Sequence, residues 1–274
     1  MLATRILTAL VLVPLVLAAL FALSTEHFAL ALLVVIGIGA AEWAALTGRK
    51  GVGHWAMVGG TLVAALALLQ VGVPRAGAGW PPAIVFAVCG LATVFWALVV
   101  PFWLRRRWRL PGGLVASLLG GGILIATWVA LVQLHARSPW VVLAAMAIVW
   151  IADTAAYFSG RAFGRRKLAP QISPAKSWEG VYGGLAAVAV YAMLLVPAAR
   201  DLAPGVAAAV WVLLLVALAA LSVLGDLFES LLKRQAGAKD SGSILPGHGG
   251  VLDRIDALLS AMPAAALFSQ FLQP

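Results

Sequence analysis

Charge is scarce in this chain. Only 11% of its 274 residues are Asp, Glu, Lys or Arg, where a soluble domain carries about 25%. That is too little to cover a water-facing surface of this size. Hydrophobic residues make up 63%, and the mean hydropathy is +1.03. The bilayer is therefore the expected solvent. Strands of alternating apolar and polar residues are missing, which excludes a transmembrane barrel. The backbone must then be satisfied within helices. Cysteine is nearly absent as well. Cys89 is alone inside an apolar run, so no intrachain disulfide is available, and it reads as a small buried hydrophobe. No Cys/His pair has zinc-ligand spacing. No repeat of 20–50 residues and no soluble domain is evident. Acids are few, 10 against 19 bases. In a soluble protein the net charge of +9 would point to nucleic acid. In a membrane protein it points to basic loops that fix topology and face anionic lipid, so nucleic acid is not an expected partner.

Long apolar runs are what the sequence does have. A spanning helix needs roughly 20 mainly apolar residues. Nine runs qualify, at 4–24, 28–47, 53–73, 80–104, 112–134, 138–160, 178–199, 203–232 and 252–272. The first, with Arg5 ahead of it and Ala22-Leu23-Ser24 behind, imitates a secretion signal but is long enough to span. The fold class expected is an all-α polytopic membrane protein. With the N-terminus in the cytoplasm, sixteen of the 19 basic residues fall on the cytoplasmic face. Only Arg75, Arg137 and Arg200 fall outside, as the positive-inside rule expects. The acids are uneven too. Glu42 is the one intramembrane acid of the first five runs, whereas seven acids lie from Asp153 onward on or near the cytoplasmic side. Residues 1–136 are thus expected to be scaffold and lipid-facing wall. Residues 137–274 are expected to hold the chemistry, in one continuous membrane domain.

Two clusters carry that chemistry. In the first, Asp153 and Tyr157 are four apart and share a helix face. A carboxylate inside an apolar helix is costly and marks either a functional site or a structural hydrogen bond to a neighbour. The loop after it holds Arg161, Arg165, Arg166, Lys167 and Lys176, of which the middle three also suit a purely topological role. Lys176 sits at the start of the next helix, where Ser173 or Ser177 can cap and an anion can meet free N–H groups.

The second cluster runs from Leu224 to Asp256. If helical, Ser222, Asp226, Ser230 and Lys233 share a face, and Asp253 and Asp256 share one at i, i+3. Two helices thus bring acids to one membrane depth. Converging carboxylates repel each other and persist if a cation holds them. Oxygen-only ligands suit a hard cation such as Mg2+. Between the helices, Gly247, Gly249 and Gly250 surround His248. Such glycines let backbone N–H groups face an anion. Lys233, Arg234, Lys239 and Arg254 supply countercharge. Acids for metal, cations for phosphate and glycines for close approach are equipment for phosphoryl or nucleotidyl transfer. His248 is open between acid/base, phosphate-contact and loop-bonding roles.

The stretch from Ser230 to Asp256, Ser-Leu-Leu-Lys-Arg-Gln-Ala-Gly-Ala-Lys-Asp-Ser-Gly-Ser-Ile-Leu-Pro-Gly-His-Gly-Gly-Val-Leu-Asp-Arg-Ile-Asp, resembles the signature of the phosphatidate cytidylyltransferase (CDP-diacylglycerol synthase) family. Ala-Asp-Thr-Ala-Ala-Tyr-Phe at 152–158 and Ser-Pro-Ala-Lys-Ser-Trp-Glu-Gly at 173–180 resemble its other blocks. The likeness covers about 147–262. Ala155, Ala175 and Ser177 depart from the family's usual Gly, Lys and Thr, which leaves in doubt only a phosphate contact from position 175. The resemblance implies transfer of CMP from CTP to phosphatidate, giving CDP-diacylglycerol and pyrophosphate, with Mg2+ and room for a second cation. It also implies a homodimer among membrane lipids, in a bacterial cytoplasmic (inner) membrane with the site on the cytoplasmic side. The expected metal set is Asp226, Asp253 and Asp256, with Lys239 and His248 beside them in catalysis. Substrate contacts are expected from Asp153, Tyr157, Lys176, Ser177, Ser230, Lys233, Arg234, Asp240, Gly249, Gly250 and Arg254. A relative acting on an isoprenoid or ether lipid phosphate would keep the same metal and nucleotide sites. A transporter is a different class, disfavoured because the acids gather on one side and no inverted repeat appears.

Overall fold

The computed structural model describes residues 2–72, 79–202 and 205–271; Arg75, assigned above to the outer face, lies outside them. The apolar runs fold as helices: α1 Leu2–Ala22, α2 Thr25–Leu46, α3 Gly51–Gly72, α4 Pro82–Arg106, α5 Leu114–Arg137, α6 Pro139–Phe163, α7 Trp178–Leu194, α8 Val196–Leu202, α9 Ala208–Gln235 and α10 Leu252–Ser269. Six of them (α2, α3, α4, α5, α6 and α9) are long and apolar enough to cross a bilayer. The architecture is that of an all-α multi-pass membrane protein. The run expected at 178–199 breaks near Leu195 into α7 and the short α8.

One departure from all-α stands between α6 and α7. Lys167–Ala169 (β1) pairs antiparallel with Ser173–Ser177 (β2), with an irregularity in register. Pro174 cannot donate to a ladder, which a two-stranded ribbon tolerates because each strand has an open edge. The hairpin carries Lys176 back under the end of α6.

Helix α5 is the axis. Its buried face runs from Ala116 to His135 and meets α2, α3, α6 and α10. The Trp43 indole donates to the Ala116 carbonyl at 2.9 Å and lies where a side chain at Gly120 would stand. Trp128 donates to the Ala29 carbonyl at 2.9 Å. Lipid gives no hydrophobic drive for helix association, so close backbone approach and such hydrogen bonds hold helices together.

Small residues set the site-bearing pairs. On α6, Ala152, Ala156 and Gly160 face Gly180 and Gly184 on α7; a Cβ at Gly184 would stand 2.8 Å from the Ala152 carbonyl. On α9, Gly225 lies against Ser260 of α10, whose hydroxyl donates to the Leu221 carbonyl at 2.7 Å. Behind α9, Phe228 is 1% exposed and is ringed by Trp43, Phe95, Trp96 and Trp103. Two wide π-helical turns, Val85–Cys89 and Phe95–Val99, interrupt α4, and the second contributes Phe95 and Trp96 to this ring. With Phe228 locked on one side of α9, Asp226 and Glu229 are fixed on the other.

Candidate active site

A cavity of about 460 Å³ opens between α6, β2, α7 and α9. Asp153, Tyr157, Arg161, Lys176, Ser177 and Asp226 line its polar end, and Ala152, Gly184, Ala219 and Val223 its apolar wall. Asp153 and Tyr157 do share a face, and both reach the cavity. Arg161 donates to the Tyr157 hydroxyl at 3.3 Å. Ser177 is the residue that caps α7, accepting from the Gly180 N–H at 3.2 Å. The Lys176 ammonium is bonded to Asp226, whose second oxygen accepts from Ser230 at 3.3 Å. The face expected for Asp226 and Ser230 is therefore present, whereas Ser222 is buried and bonds back to its own helix.

A second polar centre lies beyond it, where α9 meets the start of α10. Lys233 Nζ lies 2.6 Å from Asp253 Oδ1 and 2.6 Å from Glu229 Oε2. Asp253 Oδ2 accepts from the backbone N–H groups of Ser241 and Gly250, both at 2.8 Å, and the Ser241 hydroxyl lies 3.0 Å away. Asp256 is close enough to both centres to interact electrostatically with Asp226 and Glu229. Gly249, at φ +81°, lets the chain turn against Asp253. His248 is half-buried, and its Nδ1 has no hydrogen-bond partner.

Other expected residues sit at the rim. Arg234 reaches the Ile172 and Ala238 carbonyls at 3.4 and 3.5 Å. Lys239 and Asp240 are exposed along the loop that joins α9 to α10, and Arg254 is exposed in the first turn of α10.

Asp226, Glu229, Asp253 and Asp256 thus share two ammonium groups, those of Lys176 and Lys233. Glu229 Oε1 is buried without a hydrogen-bond donor. A surplus of carboxylate oxygen at this depth fits a hard divalent cation. Among the described residues no three acids form a ready metal cage. Mg2+ is commonly held by one or two carboxylates with substrate phosphates completing its shell, and this donor set suits that mode.

The cytidylyltransferase family model matches residues 3–272. The chain belongs to that family. A phosphatidate cytidylyltransferase of Pseudomonas aeruginosa is 42% identical over 97% of this chain and 96% of its own length. One from Haemophilus influenzae is 36% identical over 99% of each. One from Brucella suis is 53% identical over 44% of each chain.

Within this family member, two acids of the site were not among the expected site residues. Glu229 is three residues from Asp226 and four from Lys233, so its helical spacing alone places it on their flank. Glu42 comes from α2 and had a weaker signal, an isolated acid in an apolar run.

Proposed function

We propose that the chain transfers a cytidylyl group from CTP to phosphatidate, releasing pyrophosphate and leaving CDP-diacylglycerol in the membrane. The observation that carries this reading is the position of the Lys176–Asp226 pair. It lies in a cavity with one polar end and one apolar wall, beside a surplus of carboxylates. The substrates have that division of character, an anionic headgroup on acyl chains and a water-soluble triphosphate. Membership of the family and the names of its relatives support the same reaction.

A phosphate oxygen of phosphatidate forms the new bond to the α-phosphorus of CTP. The bond from that phosphorus to the bridging oxygen of the β-phosphate breaks, and pyrophosphate leaves with the electron pair. The nucleophile is the lipid phosphate itself, so no protein nucleophile is required. The barrier is anion meeting anion, and positioned cations lower it. Lys176, with Ser177, Arg161 and Tyr157 beside it, receives the lipid headgroup; Asp226 holds the Lys176 ammonium in place, and Asp153 lines the same end of the cavity. Lys233, Ser230, Arg234, Lys239 and Arg254 take the nucleotide phosphates, with Gly249, Gly250, His248 and Asp240 shaping the loop around them. Asp226 and Asp256 are the carboxylates that would hold Mg2+, with Asp253 the third acid of the expected set, and the ion would supply further charge neutralisation at the transferred phosphate; a second cation would have Glu229 within reach. The distribution of basic residues supports nine spans with the N-terminus and the site toward the cytoplasm, and the family resemblance supports a bacterial inner membrane and a homodimer.

The test is direct. Purified protein with labelled CTP, dioleoyl phosphatidate and Mg2+ should yield labelled CDP-diacylglycerol and pyrophosphate in equal amounts. Ether-linked and polyprenyl phosphates run in parallel decide the lipid class. Turnover confined to either analogue, or none with any lipid, would overturn the reading.

A further inference from the structure

Glu42 lies on α2, in the half of the chain expected to be scaffold, yet its carboxylate ends inside the second polar centre. It is 8% exposed. Oε1 accepts from the Val251 N–H at 2.9 Å. Oε2 accepts from the Leu252 N–H at 2.8 Å and from the Ser241 hydroxyl at 3.0 Å. Those N–H groups belong to the start of α10, where a helix cannot satisfy its own donors and Val251 has no side chain to cap them. A carboxylate brought from another helix does it instead, at the positive end of the helix dipole. Glycines leave the space. A Cβ at Gly250 would stand 2.6 Å from both Glu42 oxygens, so Gly250 is needed here for a carboxylate of the protein as well as for any substrate phosphate.

The contacts continue into the site. The Ser241 oxygen that meets Glu42 also lies 3.0 Å from Asp253 Oδ2 and accepts from the Asp253 N–H at 3.3 Å. Asp253 is bound to Lys233, and Lys233 to Glu229. One unbroken run of polar contacts therefore joins Glu42 to the residues assigned to nucleotide phosphate.

We propose that Glu42 is a positioning residue for cytidylyl transfer. It fixes the 241–252 loop and the first turn of α10, and through Ser241 it sets Asp253 and Lys233 for the nucleotide. This rests on the function proposed above. It differs from a purely structural role in which constant it moves. A variant that only unfolds part of the population lowers the apparent turnover and leaves both KM values alone.

The experiment measures both KM values for the full-length chain in detergent–lipid micelles. In E42Q an amide N–H group must face a backbone N–H, so one loop contact is lost. KM for CTP is expected to rise at least fivefold, with KM for phosphatidate within twofold of the parent. S241A removes the hydroxyl link to Asp253 but leaves the Glu42 contacts to the Val251 and Leu252 N–H groups in place, and it should move the KM for CTP in the same direction even where E42Q yields little folded protein. KM for CTP within twofold of the parent in S241A and in any folded E42Q overturns the inference. So does an equal rise in both KM values. A parent chain that makes no product in the same assay instead overturns the function on which the inference rests.

Discussion

Lys233 on α9 lies 2.6 Å from an Asp253 oxygen on α10, and the pair ties the end of α9 to the start of α10. Their side chains are only 13% and 4% exposed. A buried ion pair gives modest net stability when intact, but removing one partner strands a charge and costs roughly 3–5 kcal/mol. K233M strands two carboxylates, Glu229 and Asp253. The variant should lose stability of about that size and all measurable turnover. Thermal unfolding in detergent and product formation check the two halves separately. An active K233M would remove Lys233 from the nucleotide site.

D253N tests the same pair from the other side with less structural damage. The amide can still accept from the Ser241 and Gly250 N–H groups, but it no longer neutralises Lys233. Turnover should fall by roughly 100-fold or more, the usual loss when a preorganised charged contact is removed from a transfer site. The protein should still elute as folded material on size exclusion. Activity near that of the parent would dismiss Asp253 from the metal and nucleotide machinery.

Much of this geometry was legible in the chain itself. The spacing of Asp226 and Ser230 predicts a shared face, and the two are hydrogen-bonded. Ser177 caps the helix expected to begin after it. Hydropathy marks the helices because the bilayer demands a length of apolar sequence that little else in a protein requires. What escaped is what depends on distant partners. Glu42 reaches donors 199 to 210 residues away, and no local pattern announces such a meeting. The β1–β2 hairpin escaped for a different reason. Ser-Pro-Ala-Lys-Ser has neither the alternation nor the β-branched content of a strand. It pairs because the end of α6 and the start of α7 hold its ends together.

The glycines of α7 give a prediction about packing. G184L would drive a side chain into the Ala152 carbonyl and the Ala156 methyl. Overpacking of this kind costs roughly 1–3 kcal/mol. Because α6 carries Asp153 and Tyr157 while β2 carries Lys176, separating the helices should also widen the cavity's polar end. KM for phosphatidate should rise more than KM for CTP, the reverse of the pattern expected for E42Q. Equal effects on both substrates would place the lipid headgroup somewhere other than the α6–α7 crevice.

The surplus of carboxylates gives the last prediction. Asp226, Glu229, Asp253 and Asp256 share the two ammonium groups of Lys176 and Lys233. If a divalent cation balances the remainder, chelation should abolish turnover and added Mg2+ should restore it. The acids should then differ in how they affect the metal requirement. Asp226 is already paired with Lys176, and Asp256 has no ammonium of its own among the described contacts. D256N should therefore raise the Mg2+ concentration for half-maximal turnover by roughly tenfold or more, in the range seen when a group supporting a metal is removed. D226N should do the same and also free Lys176, so its KM for phosphatidate should change as well. A D256N variant with the parent's Mg2+ dependence would mean that this carboxylate does not face the metal, and the donor set would have to be sought around Glu229 and Asp253 instead.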